Sequence, residues 1–255
     1  MRHILVIGIG AGDPEHLTLQ AVKAIGRTDV FLVLGKPEER QDLIRLRRRM
    51  LDEHARPGHR LVEVPDAERD RAAPGYAEAV EDWRRRRADL VAGLLDAHLG
   101  PGETGAFLVW GDPSLYDSVI AVVEEVLARR PGSFTHEVVP GISSVAALAA
   151  RHRLTLTRVG RPLQITTGRR LAEGFPEDAD DVVVMLDGGA AFAGLDPEGL
   201  DIHYGAYLGT EDEILVSGPL AETSERILRA RTDARERKGW IMDTYLLRRR
   251  TGEPG

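Results

Sequence analysis

Residues 3–25, "HILVIGIGAGDPEHLTLQAVKAI", contain the clearest signal of the fold in the chain. This stretch opens with a continuous apolar run that ends at a glycine, which is typical of a buried strand. After the glycine-rich turn, Thr18 can cap a helix. The apolar residues Leu19, Val22 and Ile25 then recur at helical spacing. Strand, tight turn and helix in this order predict the first step of a parallel sheet covered by helices.

The same alternation of elements continues to the middle of the chain. Further strands are expected at 29–35, 60–65, 105–113 and 135–141, and helices at 38–54, 76–99 and 115–129. The second half instead offers strands with only short helical stretches between them, at 162–167, 181–186, 202–208, 213–218 and 240–247. We therefore predict a two-domain α/β protein. Residues 1–141 form a mostly parallel sheet with helices on both faces, and residues 142–255 form a mixed α/β domain.

The composition argues against several classes of protein. The chain has 255 residues, of which 42% are apolar and 29% charged, as in ordinary soluble globular proteins. No apolar run approaches the roughly 18 residues that span a bilayer, and no signal-peptide pattern is present, so we expect no membrane partner. The net charge of −7 argues against a nucleic-acid partner, and the arginine run at 84–87 is expected to be a solvated helix face. The lack of cysteine and the scattered histidines predict no metal site and fit a cytoplasmic location.

The glycines of the first turn partly match a dinucleotide-binding fingerprint. That fingerprint needs glycine at its first, third and sixth positions, with a helix beginning inside it. Gly8, Gly10 and Gly12 occupy positions one, three and five, and the sixth position is Asp13, whose charge would repel a pyrophosphate. The helix also begins late, near Thr18. An NAD-dependent oxidoreductase is therefore the weaker interpretation, and a turn that binds no ligand remains a second alternative.

Two other turns of similar composition also follow apolar strands. They are Gly-Asp-Pro at 111–113 and Pro-Gly-Ile-Ser-Ser at 140–144. Ligands of open parallel sheets bind at the carboxyl ends of the strands. We therefore expect these turns to line a binding site together with the first one.

At these turns the sequence resembles a known family. The stretches "GIGAGDPEHLTLQA" (8–21), "VWGDPSLYDS" (109–118) and "VVPGISSVAALAARHRLTL" (138–156) resemble the three N-terminal signatures of the tetrapyrrole methylases. These are S-adenosylmethionine-dependent enzymes of cobalamin and sirohaem synthesis. The resemblance implies S-adenosyl-L-methionine as cofactor, S-adenosyl-L-homocysteine as product, a tetrapyrrole as small-molecule substrate, and a homodimer with the cofactor in a cleft between two α/β domains.

Two further stretches resemble the deacetylating branch of that family. They are "DVFLVLGKPEERQDLIRLRRRML" (29–51) and "GWIMDTYLLRR" (239–249). This resemblance implies methylation of C1 of precorrin-5 with release of its acetyl group as acetate. A methylase that acts at C11, C17 or C20 of a corrin precursor is the alternative within the family.

The resemblance also implies the site residues. The expected cofactor contacts are Pro14, Trp110, Gly111, Asp112, Leu115, Ser143, Ser144, Met185, Gly209 and a strand start at Trp240 and Ile241. The expected substrate contacts are Gly10, Gly12, Asp13, and, because arginine and lysine pair with tetrapyrrole carboxylates, Lys36 and Arg40. Ordinary structural roles stay open beside these: turn formation for the aspartates, helix capping for the serines and core packing for Met185.

Release of an acetyl group requires chemistry beyond methyl transfer. Water must add to the acetyl carbonyl, which calls for a general base and for stabilisation of the oxyanion. The candidate catalytic residues near the motifs are Asp112, Tyr116, Asp117, Asp187 and His3. For Tyr116 and Asp117 an ordinary position at a helix start is an equally good interpretation.

Overall fold

The computed structural model describes residues 1–35, 41–67 and 76–250. The chain divides into two compact units, Met1–Ser143 and Ser144–Gly255. Each unit contains one five-stranded sheet. No helix in the described part of the chain is long and apolar enough to cross a membrane.

The first unit contains a parallel sheet of five strands, which are β1 (Arg2–Gly8), β2 (Val30–Leu34), β3 (Arg60–Val64), β4 (Thr104–Val109) and β5 (Phe134–Val139). Their order in the sheet is β3-β2-β4-β1-β5. Its helices are α1 (Leu19–Gly26), α2 (Gln41–His54), α3 (Tyr76–His98) and α4 (Val119–Arg129).

The helices of this unit cover both faces of the sheet, as predicted. Successive side chains of a strand point to opposite faces of the sheet, so adjacent residues of β1 pack into two different hydrophobic cores. Ile4 and Val6 pack with apolar residues of α3 and α4. Leu5 and Ile7 pack with apolar residues of α1 and α2. Burial on both sides explains why the β1 sequence is a continuous apolar run rather than an alternating one.

The strand order brings three turns to one edge of this sheet. Strands β4 and β5 flank β1 on either side, with Gly8 paired to Val109 and Ile7 paired to Val139. The connection after β1 leads to β2 on one side, whereas the connection after the neighbouring β4 leads to β5 on the other side. The carboxyl ends of β1 and β4 are therefore the topological switch point where such sheets bind ligands. The three glycine turns therefore follow the three adjacent strands at this edge.

Helix α4 begins later than the sequence predicts. The expected start was residue 115, but the helix begins at Val119. Tyr116 has φ 53°, a left-handed conformation that cannot continue a right-handed helix. The Asp117 carboxylate then accepts a hydrogen bond from the Val119 amide at 2.6 Å. Residues 115–118 thus belong to the turn after β4.

The second unit contains a mixed sheet in the order β6-β7-β10-β8-β9. Its strands are β6 (Leu163–Thr167), β7 (Asp181–Met185), β8 (Leu200–Ala206), β9 (Ile214–Pro219) and β10 (Asp243–Arg249). Its helices are α5 (Ser144–His152), α6 (Gly168–Leu171) and α7 (Leu220–Lys238). Strands β6 and β7 are parallel and the other neighbours are antiparallel, which confirms the predicted mixed character.

The expectation of only short helices in this half is wrong for α7, which has 19 residues. Its buried face is narrow and includes polar side chains, so it lacks a strong apolar stripe. The buried residues are Leu220, Thr223, Ile227, Arg231 and Ala234, spaced by three or four positions. Gly239, with φ 75°, ends the helix.

Candidate functional site

Three glycine backbones lie in contact where β1, β4 and β5 end. A Cβ placed on Gly8 would lie 2.6 Å from the amide nitrogen of Gly141. A Cβ on Gly141 would lie 2.1 Å from the carbonyl oxygen of Gly111. Both contacts are to backbone atoms, which cannot swing aside as a flexible side chain can. Close approach of three turns, rather than freedom of a single turn, is therefore what requires glycine here.

The first and second turns are joined by backbone hydrogen bonds. The Gly111 amide donates to the Gly10 carbonyl at 2.7 Å, and the Gly10 amide donates back to the Gly111 carbonyl at 3.3 Å. Both glycines have left-handed backbones, with φ 82° at Gly10 and φ 66° at Gly111. The bridge fixes the relative position of two turns that the sequence places far apart.

Asp112 ties the second turn to the third. Its Oδ2 accepts from the Gly141 amide at 2.9 Å, and its Oδ1 accepts from the Ser114 amide at 2.9 Å and from the Ser114 hydroxyl. Burial raises the pKa of the Asp112 carboxyl, but these three hydrogen bonds outweigh burial and leave the pKa below its ordinary value. Asp112 is thus an ionised residue whose oxygens hold the turns together.

Replacing Asp112 by asparagine is expected to loosen this junction. An amide nitrogen cannot accept a hydrogen bond, so the Gly141 or Ser114 amide loses its partner, at a cost of about 1–3 kcal/mol. Because the native pKa is lowered, the wild-type advantage should be complete above the unfolded pKa of about 3.9 and disappear as the pH falls through the native value. Urea unfolding of both proteins at pH 7 and in acid measures the difference. Equal stability at pH 7 would contradict the assigned role.

The first turn continues into a short capped element before α1. The Asp13 carboxylate accepts from the Glu15 amide at 2.9 Å and caps a 3₁₀ turn at Pro14–His16. Thr18 caps α1 by accepting from the Ala21 amide at 3.0 Å. The late helix start is confirmed, so the amino end of α1 does not begin inside the glycine motif as a dinucleotide fingerprint requires.

The β4–α4 turn carries two of the candidate catalytic residues. Tyr116 is 46% exposed. Partial burial of its side chain raises the pKa of its hydroxyl. Asp117 as a whole residue is exposed, yet the pKa of its carboxyl is raised. Desolvation raises this pKa, and the hydrogen bond from the Val119 amide and the charge of Arg87 offset only part of the rise. A strained backbone and an elevated carboxyl pKa are features that concentrate at functional sites.

Basic side chains approach the same end of the sheet. The Arg47 guanidinium lies 5.1 Å from the centre of the Trp110 ring. Arg87 is buried and donates to Asp66 at 2.8 Å, while Arg85 and Arg86 pair with Asp82 on the helix surface. The run 84–87 is therefore mainly the predicted solvated face, with its last arginine turned inward.

His3 is not near the turns: it lies at the amino end of β1, where Nδ1 is 2.8 Å from the Thr135 hydroxyl and Nε2 is 3.7 Å from Glu137. Its assignment as a base close to the motifs is corrected, because the opposite end of the strand carries the glycine turns. Lys36 and Arg40 lie outside the described residues.

In the second unit, the strand pairing gathers another set of predicted residues. Thr167 of β6 and Thr244 of β10 flank Met185, and Asp243 is paired to Ala206. The carboxyl ends of β6, β7 and β8 therefore meet the amino end of β10 at one edge. Three groups of expected cofactor contacts, at Met185, at Gly209 and at 240–241, all lie at this edge. Residues 240–241 precede β10 rather than beginning it, which corrects the predicted strand start.

An aromatic pair fixes the segment before β10. The Tyr207 hydroxyl donates to the Trp240 carbonyl at 2.5 Å, and the two rings meet edge to face with centroids 4.9 Å apart. Tyr207 itself has a left-handed backbone, with φ 49°. Gly209 follows with φ 78°, and its amide donates to Glu213 at 2.9 Å. On the same unit, the Thr244 and Ser144 hydroxyls lie 3.1 Å apart.

Asp187 is engaged in structural contacts. It is 4% exposed, and its carboxylate accepts from the Tyr245 hydroxyl at 2.6 Å and from the Ala191 and Gly189 amides at 2.7 and 3.1 Å. Burial and then the negative charge of Asp187 raise the pKa of Tyr245, which keeps that hydroxyl protonated as a donor. These three accepted bonds hold the turn after β7 and account for the position of Asp187 without a catalytic role.

Leu186 is a residue that sequence reasoning missed. It lies between Met185 and Asp187, is 65% exposed and has φ 54°. An exposed leucine in a strained conformation at a strand end is unfavourable by itself, and such strain concentrates at ligand sites. The sequence shows only an apolar residue at the end of a strand, so neither its exposure nor its backbone could be predicted.

Two α/β units with glycine turns and strained residues at the carboxyl ends of parallel strands define a ligand-binding α/β protein. Residues 3–224 match the family described as Tetrapyrrole (Corrin/Porphyrin) Methylases. The chain is 48% identical over 250 residues to a Precorrin-6A synthase [deacetylating] from Sinorhizobium sp, covering 98% of this chain and 96% of that protein. The chain belongs to the tetrapyrrole methylases.

Solved structures agree with this assignment. The crystal structure of a cobalamin synthesis related protein (CobF) from Corynebacterium diphtheriae is 37% identical, with a TM-score of 0.85 over 98% of this chain and 100% of that one. The uroporphyrin-III C-methyl transferase from Thermus thermophilus complexed with S-adenyl homocysteine has a TM-score of 0.58 at 22% identity over 96% of each chain, and supports the fold.

Proposed function

We propose that this chain transfers a methyl group from S-adenosyl-L-methionine to C1 of precorrin-5 and releases the acetyl group as acetate, giving precorrin-6A. The observation that carries the proposal is the 48% identity, over 98% of the chain, to a relative named for that deacetylating synthesis. A methylase for another corrin carbon is the competing assignment, since a Precorrin-2 C(20)-methyltransferase from Sinorhizobium sp is 30% identical over 72% of the chain.

The described residues suit the cofactor. When bound, S-adenosyl-L-methionine supplies a methyl group activated by a positively charged sulfonium. The first unit offers a turn at Gly111 and Asp112 with close-packed glycine backbone. The second unit offers apolar and aromatic surface at Leu186 and Trp240, together with the turn at Gly209. Backbone polar groups and apolar surface are what recognition of a nucleoside-like ligand requires. We propose that both sets of residues contribute to its binding.

The remaining expected contacts are retained as proposals of the same kind. Those for the cofactor are Pro14, Trp110, Leu115, Ser143, Ser144, Met185 and Ile241. Those for the substrate are Gly10, Gly12, Asp13, Lys36 and Arg40. Their task is to position: alignment of two reactants and exclusion of water account for much of the rate in such transfers.

Methyl transfer and acetyl release make different demands on the protein. Methyl transfer needs a held geometry, and the hydrogen-bonded turns at Gly10 and Gly111 support such a role. Acetyl release needs a group that moves a proton. Among the carboxylates considered for this, Asp112 is ionised and engaged, and Asp187 is buried and engaged. Tyr116 and Asp117 stay as candidates on the β4–α4 turn.

Product analysis tests the proposed site of methylation. We expect precorrin-5 incubated with methyl-¹³C-labelled S-adenosyl-L-methionine to yield one labelled tetrapyrrole, with the new methyl carbon at C1 by NMR. A label at C11, C17 or C20 would assign the chain to another step. Titration calorimetry with S-adenosyl-L-homocysteine and with NAD tests the cofactor separately, and binding of NAD alone would refute the methylase mechanism.

We also propose that the chain acts in the cytoplasm and that it forms a homodimer. Light scattering would detect the homodimer as twice the 28.0 kDa chain mass.

A further inference from the structure

The imidazole of His16 has an unused polar atom in the candidate site of the first unit. Its Nδ1 is buried, and no group among the described residues forms a hydrogen bond with it. A buried polar atom without a partner is costly and uncommon in folded proteins. His16 lies in the turn that follows β1 at the ligand-binding edge of the sheet, where a ligand or its water can supply the missing partner.

The turn is built to hold this side chain. A Cβ on Gly10 would lie 2.3 Å from the Cβ of His16, so a residue with a side chain at position 10 would displace the histidine. The His16 amide donates to the Asp13 carbonyl at 3.0 Å, and the Asp13 carboxylate caps the same 3₁₀ turn. Gly10 is in turn bonded to Gly111. His16 is therefore fixed against the paired glycine turns rather than on an independent loop.

We propose that His16 is the general base of acetyl release, an assignment that rests on the proposed function. His16 takes a proton from water, and the oxygen of that water bonds to the acetyl carbonyl carbon, whose C=O electron pair moves onto oxygen. When the carbonyl re-forms, the carbon–carbon bond to the macrocycle breaks and its electron pair stays on the macrocycle carbon. The acetyl group leaves as acetic acid, which ionises to acetate. The electron pair left on the macrocycle carbon forms the bond to the methyl group that the proposed reaction transfers, and His16 passes its proton to solvent. The chemistry consumes one water and needs no oxidant or reductant.

His16 fits this task better than the carboxylates beside it. An imidazole is the side chain whose ordinary chemistry allows it to accept and return a proton near neutral pH. The oxygens of Asp112 are engaged with Gly141 and Ser114, and Asp13 caps its own turn. Asp117, the remaining carboxylate candidate, accepts from the Val119 amide at 2.6 Å at the start of α4. Methyl transfer alone needs no such base, so a positioned histidine distinguishes the acetyl-releasing reaction from simple methylation.

The test replaces His16 by asparagine, which keeps a polar group near Nδ1 but cannot take up a proton. We expect acetate release from precorrin-5 to fall about 100-fold or more, in line with the usual contribution of a general base. Affinity for S-adenosyl-L-homocysteine, measured by calorimetry, should stay within about threefold, a change of well under 1 kcal/mol. His98→Asn, at the end of α3, serves as the matched control and should behave as wild type.

Three results would overturn the assignment. One is acetate release by His16→Asn within about threefold of wild type, which is far less than removal of a general base causes. Another is loss of S-adenosyl-L-homocysteine binding in both His16→Asn and His16→Gln, which would make the residue structural. Absence of acetate from the wild type itself would refute the proposed function, and the role of His16 with it; the first two results leave that function intact.

Discussion

Replacing Gly141 by alanine is expected to destabilise the first unit by about 3 kcal/mol or more, at the upper end of overpacking effects. The added methyl carbon would lie 2.1 Å from the Gly111 carbonyl oxygen and 2.8 Å from the Gly8 backbone. Gly8 is the last residue of β1, and Gly111 is held by its two backbone hydrogen bonds to Gly10. Relief requires the β5 turn to move away, which also breaks the bond from the Gly141 amide to Asp112. Urea unfolding followed by circular dichroism measures the loss, and binding of S-adenosyl-L-homocysteine should be lost with it.

Gly35→Ala is the matched control for this substitution. Gly35 follows β2 in the same sheet, and a Cβ there meets nothing within 4 Å. Its stability should therefore stay within about 0.5 kcal/mol of wild type, as for most surface changes. If Gly141→Ala were as stable as Gly35→Ala, close packing of the three turns would not be the reason for the glycine.

Replacing Arg231 by methionine should cost the second unit about 3–5 kcal/mol, as expected when one partner of a buried ion pair is removed. Arg231 and Asp243 form an ion pair in which the residues are 6% and 8% exposed. Arg231 also donates to the Asp187 carbonyl at 2.8 Å, and Asp243 accepts from the Tyr204 hydroxyl at 3.0 Å. Methionine fills much of the volume but leaves a buried carboxylate without its cation.

Arg237→Met, on the same helix, separates this effect from loss of any arginine. Arg237 pairs with Asp212 at 3.2 Å, and its side chain is 58% exposed. Exposed pairs contribute about 0–1 kcal/mol, so this variant should unfold close to wild type. Equal losses in the two variants would show that the buried pair has no special weight in the second unit.

Much of the fold followed from the sequence because its signals were local. Continuous apolar runs marked the buried parallel strands, and glycine turns after three of them marked the ligand edge. The site prediction was less complete, because it depends on what lies opposite a residue in space. The hydrogen bond from the Gly141 amide to Asp112 joins two turns that are distant in the sequence. His3 lies at the amino end of β1, opposite the glycine turns, because of the direction of the strand.

The features that sequence reasoning missed have physical causes of the same kind. Helix α7 is held by a narrow face that includes the buried Arg231, so apolar periodicity could not reveal it. The left-handed backbone of Leu186 lies in a turn that Asp187 holds in place by accepting a hydrogen bond from the buried Tyr245 hydroxyl. His16 looked like an ordinary residue of a polar turn, and only its packing against Gly10 shows a buried nitrogen without a partner.

The most direct test of the central claim is the ratio of acetate to S-adenosyl-L-homocysteine formed from precorrin-5. Both products should be measured in one reaction with the full-length wild-type chain, at several times, with a reaction lacking enzyme as the blank. We expect acetate and S-adenosyl-L-homocysteine to accumulate together in a ratio of about one, because each turnover breaks one acetyl bond and transfers one methyl group. Formation of S-adenosyl-L-homocysteine without acetate would contradict it.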